Sequence, residues 1–152
     1  MFKASKLALG FLLLGALGAC SGIEEPPLEH LDLGTYTIRE FKLPLNDHSA
    51  MAEAQRHLGQ SVTLGPDRIF FPPDFGQTDC QHEGYRLTQR PTNFIPSFEL
   101  GMAGPLSAVD AGIEETQLLE IWNGCLHGAY LTMDHGRIYL PGRGALFILE
   151  KY

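Results

Sequence analysis

The sequence predicts a mainly β fold, a small antiparallel β-barrel or strongly curled sheet with one α-helix near its N-terminal end. About seven short apolar segments are separated by turn residues. Glycine and proline occur 17 and 10 times in 152 residues, which disfavours long helices. The last segment, residues 145–152, is apolar on both faces, as in a barrel strand that lies under a helix. An open α+β sheet with the helix on one side is the alternative.

The first 22 residues have the pattern of an export signal. Two lysines are followed by the apolar residues 7–16, a stretch too short to span a bilayer as a helix, and then by Leu-Gly-Ala-Cys at 17–20. Residues 1–22 thus resemble the lipobox region of bacterial lipoproteins. In that family the signal peptide is cleaved before the cysteine, here Cys20, which then carries acyl chains such as palmitate on its sulfur and its new amino group. The alternative is an ordinary secretory peptide that leaves Cys20 as a free thiol.

The resemblance divides the chain into three parts. Residues 1–19 are the expected signal peptide, residues 20–34 a lipidated acidic tether, and residues 35–152 a single β-rich domain. The tether contains four acidic residues and two prolines, and it has no apolar periodicity. In the alternative, the same stretch packs on the domain through Leu28, Leu31 and Leu33.

The resemblance also implies a location. Serine, not aspartate, follows Cys20, which resembles the pattern for sorting to the outer membrane. We therefore expect a lipid-anchored protein of the bacterial cell envelope that faces the periplasm from the outer membrane. Loss of the two signal-peptide lysines changes the formal net charge from −7 to −9. A domain with this charge should stand off from anionic headgroups.

The domain opens with a predicted strand and helix. Residues 36–43 predict the strand, and a change of apolar phase midway indicates a bulge. Residues 47–58 predict the helix, with Asp47 as N-cap and Gly59 as the C′ residue. Its apolar stripe consists of Ala50, Met51, Ala54 and Leu58. We expect this helix to lie across the sheet or to close the end of a barrel.

The middle of the chain predicts three strands, over residues 60–64, 68–71 and 80–88, with a turn at 65–67. Residues 90–112 are apolar but interrupted by glycines and prolines. They therefore predict a long irregular segment that covers the core or the mouth of a pocket.

The C-terminal part predicts four strands, over residues 116–122, 129–133, 137–140 and 145–152. The second and third of these form a hairpin, and a Pro-Gly-Arg-Gly turn precedes the last. The single tryptophan, Trp122, is expected to lie in the core.

Two cysteines remain in the domain, Cys80 and Cys125. Export to an oxidising compartment predicts a disulfide between them. Each cysteine is followed two residues later by a histidine, His82 and His127. In a strand, residues two apart share a face, so the four side chains could alternatively form a tetrahedral Cys₂His₂ metal site.

The chain has no recognisable catalytic motif. It contains no G-x-S-x-G, H-E-x-x-H, P-loop or G-x-G-x-x-G sequence, so we expect neither enzymatic activity nor a cofactor. A Ser–His–Asp triad scattered along the chain would leave no such motif. Acidic side chains outnumber basic ones 18 to 11, which disfavours a nucleic-acid partner because that affinity depends on Lys and Arg near phosphates.

Two further sets of side chains are candidates for binding. The first set consists of phenylalanines near prolines, which would suit an apolar ligand at a barrel mouth or would simply fill the core. They are Phe70, Phe71, Phe75, Phe94 and Phe98. The second set is Arg137 and Arg143, in or beside the two C-terminal turns, as candidates for contact with a partner. Exposed turn arginines without a role are the alternative.

Together these features favour a non-enzymatic, membrane-anchored periplasmic lipoprotein that binds a protein partner in the envelope. Its plan is similar to that of the small lipobox-bearing lysozyme inhibitors, which are compact β-barrels with a disulfide. Their inhibitory loop motif is not found here, so no site residue carries over. An acidic domain has the right charge for steering toward basic lysozyme. The alternatives are a lipocalin-like carrier of an apolar ligand and a metal-binding protein that uses the paired Cys-x-His tripeptides.

Overall fold

A computed structural model describes residues 31–95, 97–133 and 136–151. Within these residues, nine antiparallel strands form one sheet that curls through 209° into a half-barrel, as the sequence predicts for a strongly curled sheet. A helix, α1, spans Met51–His57. The strands are β1 (Gly34–Lys42), β2 (Ser61–Leu64), β3 (Arg68–Phe70), β4 (Asp79–Gln81), β5 (Arg86–Pro91), β6 (Phe98–Glu99), β7 (Pro105–Leu106), β8 (Gln117–Trp122), β9 (Ala129–Thr132), β10 (Ile138–Gly142) and β11 (Ala145–Lys151).

The strand order of the large sheet is β4-β3-β2-β1-β11-β10-β9-β8-β5, so that β4 and β5 are its two edges. The register of β1 against β11 shifts between Ile38 and Glu40, a bulge where the apolar phase changes. Strands β9 and β10 form the expected hairpin. Its turn residues Asp134 and His135 lie outside the described residues. Strands β6 and β7 form a separate small sheet.

The single strand predicted over residues 80–88 is wrong. The chain forms two short strands there, β4 and β5, which lie at opposite edges of the sheet. Residues 82–85 connect them, and Gly84 adopts a φ of +121°, which favours glycine. The alternation of residues along 80–88 does not reveal this crossing because each half keeps the period of a strand.

The inner core lies on the concave face of the curled sheet. It contains buried side chains from strands near both ends of the strand order, such as Ile69 of β3 and Ile121 of β8. Phe147 of β11 is fully buried at its centre, and Leu31 also packs there. Of the tether leucines, therefore, Leu31 packs on the domain, while Leu33 is 40% exposed and Leu28 lies outside the described residues.

The outer core lies on the opposite face of strands β8–β11. Leu146 and Ile148 of β11 point into it, while their neighbours in the same strand point into the inner core. Both faces of β11 are therefore buried, as predicted, but the outer cover is the irregular segment 95–113 and not a helix. Phe98 anchors this segment: its ring packs edge-to-face on that of Tyr130, with the ring centres 5.6 Å apart.

Helix α1 packs on the inner core and is shorter than predicted. Asp47 does not cap it, because Oδ1 of Asp47 accepts the backbone N–H of Ser49 at 2.9 Å and forms a turn ahead of the helix. His57, in the last turn, is 1% exposed. Its ring packs edge-to-face on the rings of Phe75 and Phe147, with ring centres 4.7 and 5.6 Å apart. Helix α1 thus contributes its last turn to the inner core.

Residues 1–30, which include the predicted signal peptide and Cys20, lie outside the described residues. Within the described part of the chain, no helix has the length and apolar character that crossing a membrane would need.

Candidate functional site

Cys80 and Cys125 form the predicted disulfide, with their Cα atoms 5.9 Å apart. The bond joins the edge strand β4 to the turn that follows β8, and β8 pairs with β5, the other edge. The disulfide therefore ties the two ends of the curled sheet to each other. Bonded sulfurs cannot act as thiolate ligands, so the alternative Cys₂His₂ metal site does not form. Among the described residues, no group of three or more His, Cys, Asp and Glu side chains is placed to hold a metal ion.

The two histidines of the Cys-x-His tripeptides nevertheless line one concavity beside the disulfide. This corner groove has a volume of about 840 Å³ and is bounded by the β4–β5 connection and the turn after β8. Its lining consists of His82, Glu83, Gly84, Tyr85, Arg86, Trp122, Asn123, Gly124 and His127. The two tripeptides therefore lie side by side: their cysteines are bonded to each other, and their histidines line the same groove.

Trp122 and Arg86 form the outer wall of the corner groove. They face each other in the register of β5 and β8, and the Arg86 guanidinium carbon lies 5.5 Å from the centre of the Trp122 ring. Trp122 is 44% exposed, so its predicted place in the core is wrong. The alternation of β8 places Leu119 and Ile121 in the inner core and therefore turns Trp122 to the other face.

His82 is fixed by its neighbours in the β4–β5 connection. The Gly84 backbone N–H lies 3.0 Å from Nδ1 of His82, and the ring centres of His82 and Tyr85 are 4.4 Å apart. The Tyr85 hydroxyl donates to the Gly65 carbonyl at 2.8 Å. Burial, and secondarily the nearby Tyr36, raises the pKa of Tyr85 to about 12, so this hydroxyl keeps its proton at neutral pH. The ring of His82 is therefore held on a rigid support.

Asn123 is fixed from the other side of the groove. Its Oδ1 accepts the backbone N–H groups of Cys125 and Leu126, at 2.9 and 2.7 Å. These bonds determine the orientation of the amide, with Nδ2 as its remaining donor. The Asn-Gly pair at positions 123 and 124 is a turn signal in the sequence, but nothing local to it indicates a groove.

The five phenylalanines do not form one surface. Phe71 and Phe75 stack with ring centres 6.0 Å apart at the border of the inner core, whereas Phe98 lies in the outer core. Phe70 and Phe94 are exposed, at 47% and 76%. Phe71 and Phe75 line a notch of about 210 Å³ together with Gln77, Cys125, His127, Leu140, Pro141, Gly142 and Arg143.

Both candidate arginines form ion pairs within the chain. Arg137 donates to Glu150 of β11, with Nε 3.0 Å from Oε1. Arg143, in the β10–β11 turn, donates to Glu53 of α1, with Nε 2.6 Å from Oε1. Arg143 therefore joins the helix to the sheet, and both cations already have a carboxylate partner.

Comparison of this chain with protein-family models, with curated proteins and with solved structures finds no match. A role for the corner groove is therefore inferred from the geometry of its residues and not from a relative.

Proposed function

We propose that this chain is a lipid-anchored protein of the bacterial envelope that binds a protein partner through the corner groove. The lipobox-like residues 17–20 support the anchor at Cys20, and the acidic tether supports a domain held away from the membrane. The predicted location is the outer membrane, on its periplasmic side. The domain acts as a binding module and not as an enzyme.

The exposed pair of Trp122 and Arg86 carries the proposal. Tryptophan and arginine dominate the binding free energy of many protein interfaces, especially in well-packed positions. Here the two side chains lie beside a backbone that the Cys80–Cys125 disulfide holds. A surface ordered in advance loses little conformational entropy on binding, and this favours affinity.

The alternatives have less support from the geometry. A carrier of apolar ligands needs a cavity of roughly 300–1,000 Å³. The notch at Phe71 and Phe75 is smaller, about 210 Å³, and side chains such as Phe147 fill the inner core. The corner groove is large enough, but charged and polar side chains such as His82, Glu83 and Arg86 line it. The metal-binding alternative requires two thiolates, which the disulfide removes.

The charge of the domain favours a basic partner. With the signal peptide removed, the formal net charge is −9, which would accelerate encounter with a positively charged protein at low salt. A lysozyme-type muramidase is one such partner. Purified full-length protein should then lower muramidase activity at stoichiometric amounts, and an unchanged rate at excess would remove this partner from the proposal.

Site-specific photo-crosslinking in cells tests the groove itself. A photoreactive phenylalanine analogue placed at Glu83, an exposed residue of the groove lining, leaves Trp122 and Arg86 in place and should give a discrete crosslinked product with a protein. The matched control is the same analogue at Phe94, an exposed aromatic outside the groove. The proposal fails if position 83 gives no discrete product, or if position 94 gives the same one.

A further inference from the structure

The two cysteines of the disulfide differ in their surroundings. Cys80, in β4, is 8% exposed, whereas Cys125, in the turn after β8, is half-buried and lines the notch at Phe71 and Phe75. Cys80 is not among the lining residues described for this notch or for the corner groove. The disulfide therefore reaches a concavity of the surface on the side of Cys125.

The side chain of Cys125 lies beside two aromatic rings. Cys125, Phe71 and Phe75 all pack on the border of the inner core, and the same three residues line the notch. The notch has a volume of about 210 Å³, many times that needed for one water molecule. It therefore has room for the few heavy atoms of a thiol-bearing side chain next to Cys125.

Unequal access to the two sulfurs determines how this disulfide exchanges with a thiol. In such an exchange a thiolate attacks one sulfur of the disulfide and expels the other, and the rate depends on access to the attacked sulfur. A thiolate in the notch forms a new S–S bond to Sγ of Cys125, and the old bond breaks with its electron pair on Sγ of Cys80. The products are a mixed disulfide at Cys125 and a thiolate at Cys80.

The same contact serves the opposite reaction, in which the bond is made. In the reduced chain, the thiolate of Cys125 attacks the disulfide of an oxidised protein, and Cys80 then attacks the mixed disulfide and expels that protein's thiolate. The Cα atoms of Cys80 and Cys125 are 5.9 Å apart, within the range that a disulfide spans, so Cys80 is placed to resolve the intermediate. The notch therefore lies where the two ends of the curled sheet are joined or released.

We infer that the notch at Phe71 and Phe75 is the docking site for a cysteine thiolate of a thiol–disulfide oxidoreductase, and that Cys125 is the sulfur through which this enzyme exchanges. Leu140 and Pro141 extend the apolar lining, which suits a cysteine within a polypeptide better than a small hydrophilic thiol. The predicted export would place the chain where protein oxidants form disulfides. The inference goes beyond the proposed function and does not depend on the partner of the corner groove.

Trapping the mixed disulfide tests which sulfur is attacked. The lipidated full-length protein in maltoside micelles is mixed with a thioredoxin-like C-x-x-C protein whose second cysteine is replaced by serine, so that the mixed disulfide persists. After quenching with N-ethylmaleimide, peptide mapping should find the trapped protein on Cys125 and the maleimide on Cys80, in at least about tenfold excess over the reverse, because access governs the rate. The inference fails if no mixed disulfide forms, if Cys80 carries the trapped protein, or if both cysteines carry it equally, as after unfolding.

A pair of glutamine variants tests the notch itself. Gln77→Trp narrows the notch at an exposed lining residue, and Gln89→Trp, at an exposed glutamine of β5 outside the notch, is the matched control. Gln77→Trp should slow formation of the mixed disulfide at Cys125 by at least about threefold, and Gln89→Trp should leave the rate unchanged. Equal rates in the two variants would contradict the inference, and trapping on the wild type decides it even if Gln77→Trp does not fold.

Glutathione in place of the trapping protein separates the two sources of a thiolate. Compared at equal thiolate concentration, the protein should react at Cys125 at least about tenfold faster than glutathione, because only the protein gains from the apolar lining. Equal or faster reaction of glutathione at Cys125 would overturn the oxidoreductase as the source and assign the notch to small thiols.

Discussion

The inner and outer cores lie on opposite faces of the same strands but are assembled from different kinds of chain. The inner core joins side chains from strands along the whole sheet order, and the disulfide ties its two ends. The outer core is formed by one irregular segment, residues 95–113, laid on strands β8–β11. The inner core therefore depends on contacts between distant parts of the chain, and the outer core depends on one local cover.

This difference implies different modes of opening. Loss of the inner core separates strands that hold each other in place, so it should coincide with global unfolding. The outer segment can leave the sheet while the strands stay paired, which is typical of a region of lower local stability. Strand β11 has residues in both cores and allows the two to be compared.

The largest expected effect is that of removing a phenylalanine from each core. Phe147 and Phe98 are both almost fully buried. Phe147→Ala should lower the free energy of unfolding by about 3–5 kcal/mol, because it leaves a cavity that the sheet cannot fill. Phe98→Ala should lower it less and should speed hydrogen exchange mainly within residues 95–113. Urea unfolding measures the free energy of unfolding of each variant, and hydrogen exchange shows which residues lose protection. Equal losses of stability, with protection lost evenly over the chain, would show that the two cores open as one.

The disulfide should have the next largest effect. Replacing Cys80 and Cys125 together by serine releases a crosslink with a sequence separation of 45 residues. The chain-entropy model gives a loss of about 3–4 kcal/mol in the free energy of unfolding. Hydrogen exchange should accelerate in β4 and β5 more than in the outer segment. A loss below about 1 kcal/mol would mean that packing alone holds the two edges together.

Alternation and turn residues are local signals, and they predict most of the fold. The bulge in β1 and the β9–β10 hairpin follow from a few neighbouring residues, and the disulfide is expected from the predicted export of the chain. The crossing from β4 to β5 does not follow from such signals, because where a strand lies in the sheet depends on distant partners.

The same limit applies to the candidate site. The paired Cys-x-His tripeptides indicate that His82 and His127 come together, and both do line the corner groove. Trp122 and Arg86 lie more than thirty positions apart in the sequence, and the pairing of β5 with β8 brings them together. The exposure of Trp122 depends on how far the outer cover extends, which no local pattern encodes.

Alkaline pH should weaken the inner core in a defined window. Burial, and secondarily the carboxylate of Asp32, raises the pKa of Tyr36 to about 12, and that of Tyr85 is raised to a similar value. Unfolded tyrosine ionises near pH 10, so the unfolded chain loses these protons first. The stabilisation is therefore complete below about pH 10 and is lost as pH rises toward 12. Tyr36→Phe should lose less stability than the wild type between pH 9 and pH 11 in urea unfolding. An identical loss in both proteins would contradict the assignment.

The smallest expected effect concerns the ion pair between the β10–β11 turn and helix α1. Arg143→Ala removes a half-exposed pair with Glu53 and should lower the free energy of unfolding by about 0–1 kcal/mol. Arg143 also has a φ of +52°, a left-handed conformation that costs roughly 1 kcal/mol in a residue other than glycine. Arg143→Gly loses the same ion pair but relieves the backbone, so it should be more stable than Arg143→Ala. Thermal unfolding of the wild type and of both variants, each with and without Glu53→Gln, separates the two contributions. If the glycine variant is the less stable one, the freedom that glycine adds to the unfolded chain outweighs any backbone strain that it relieves in the turn.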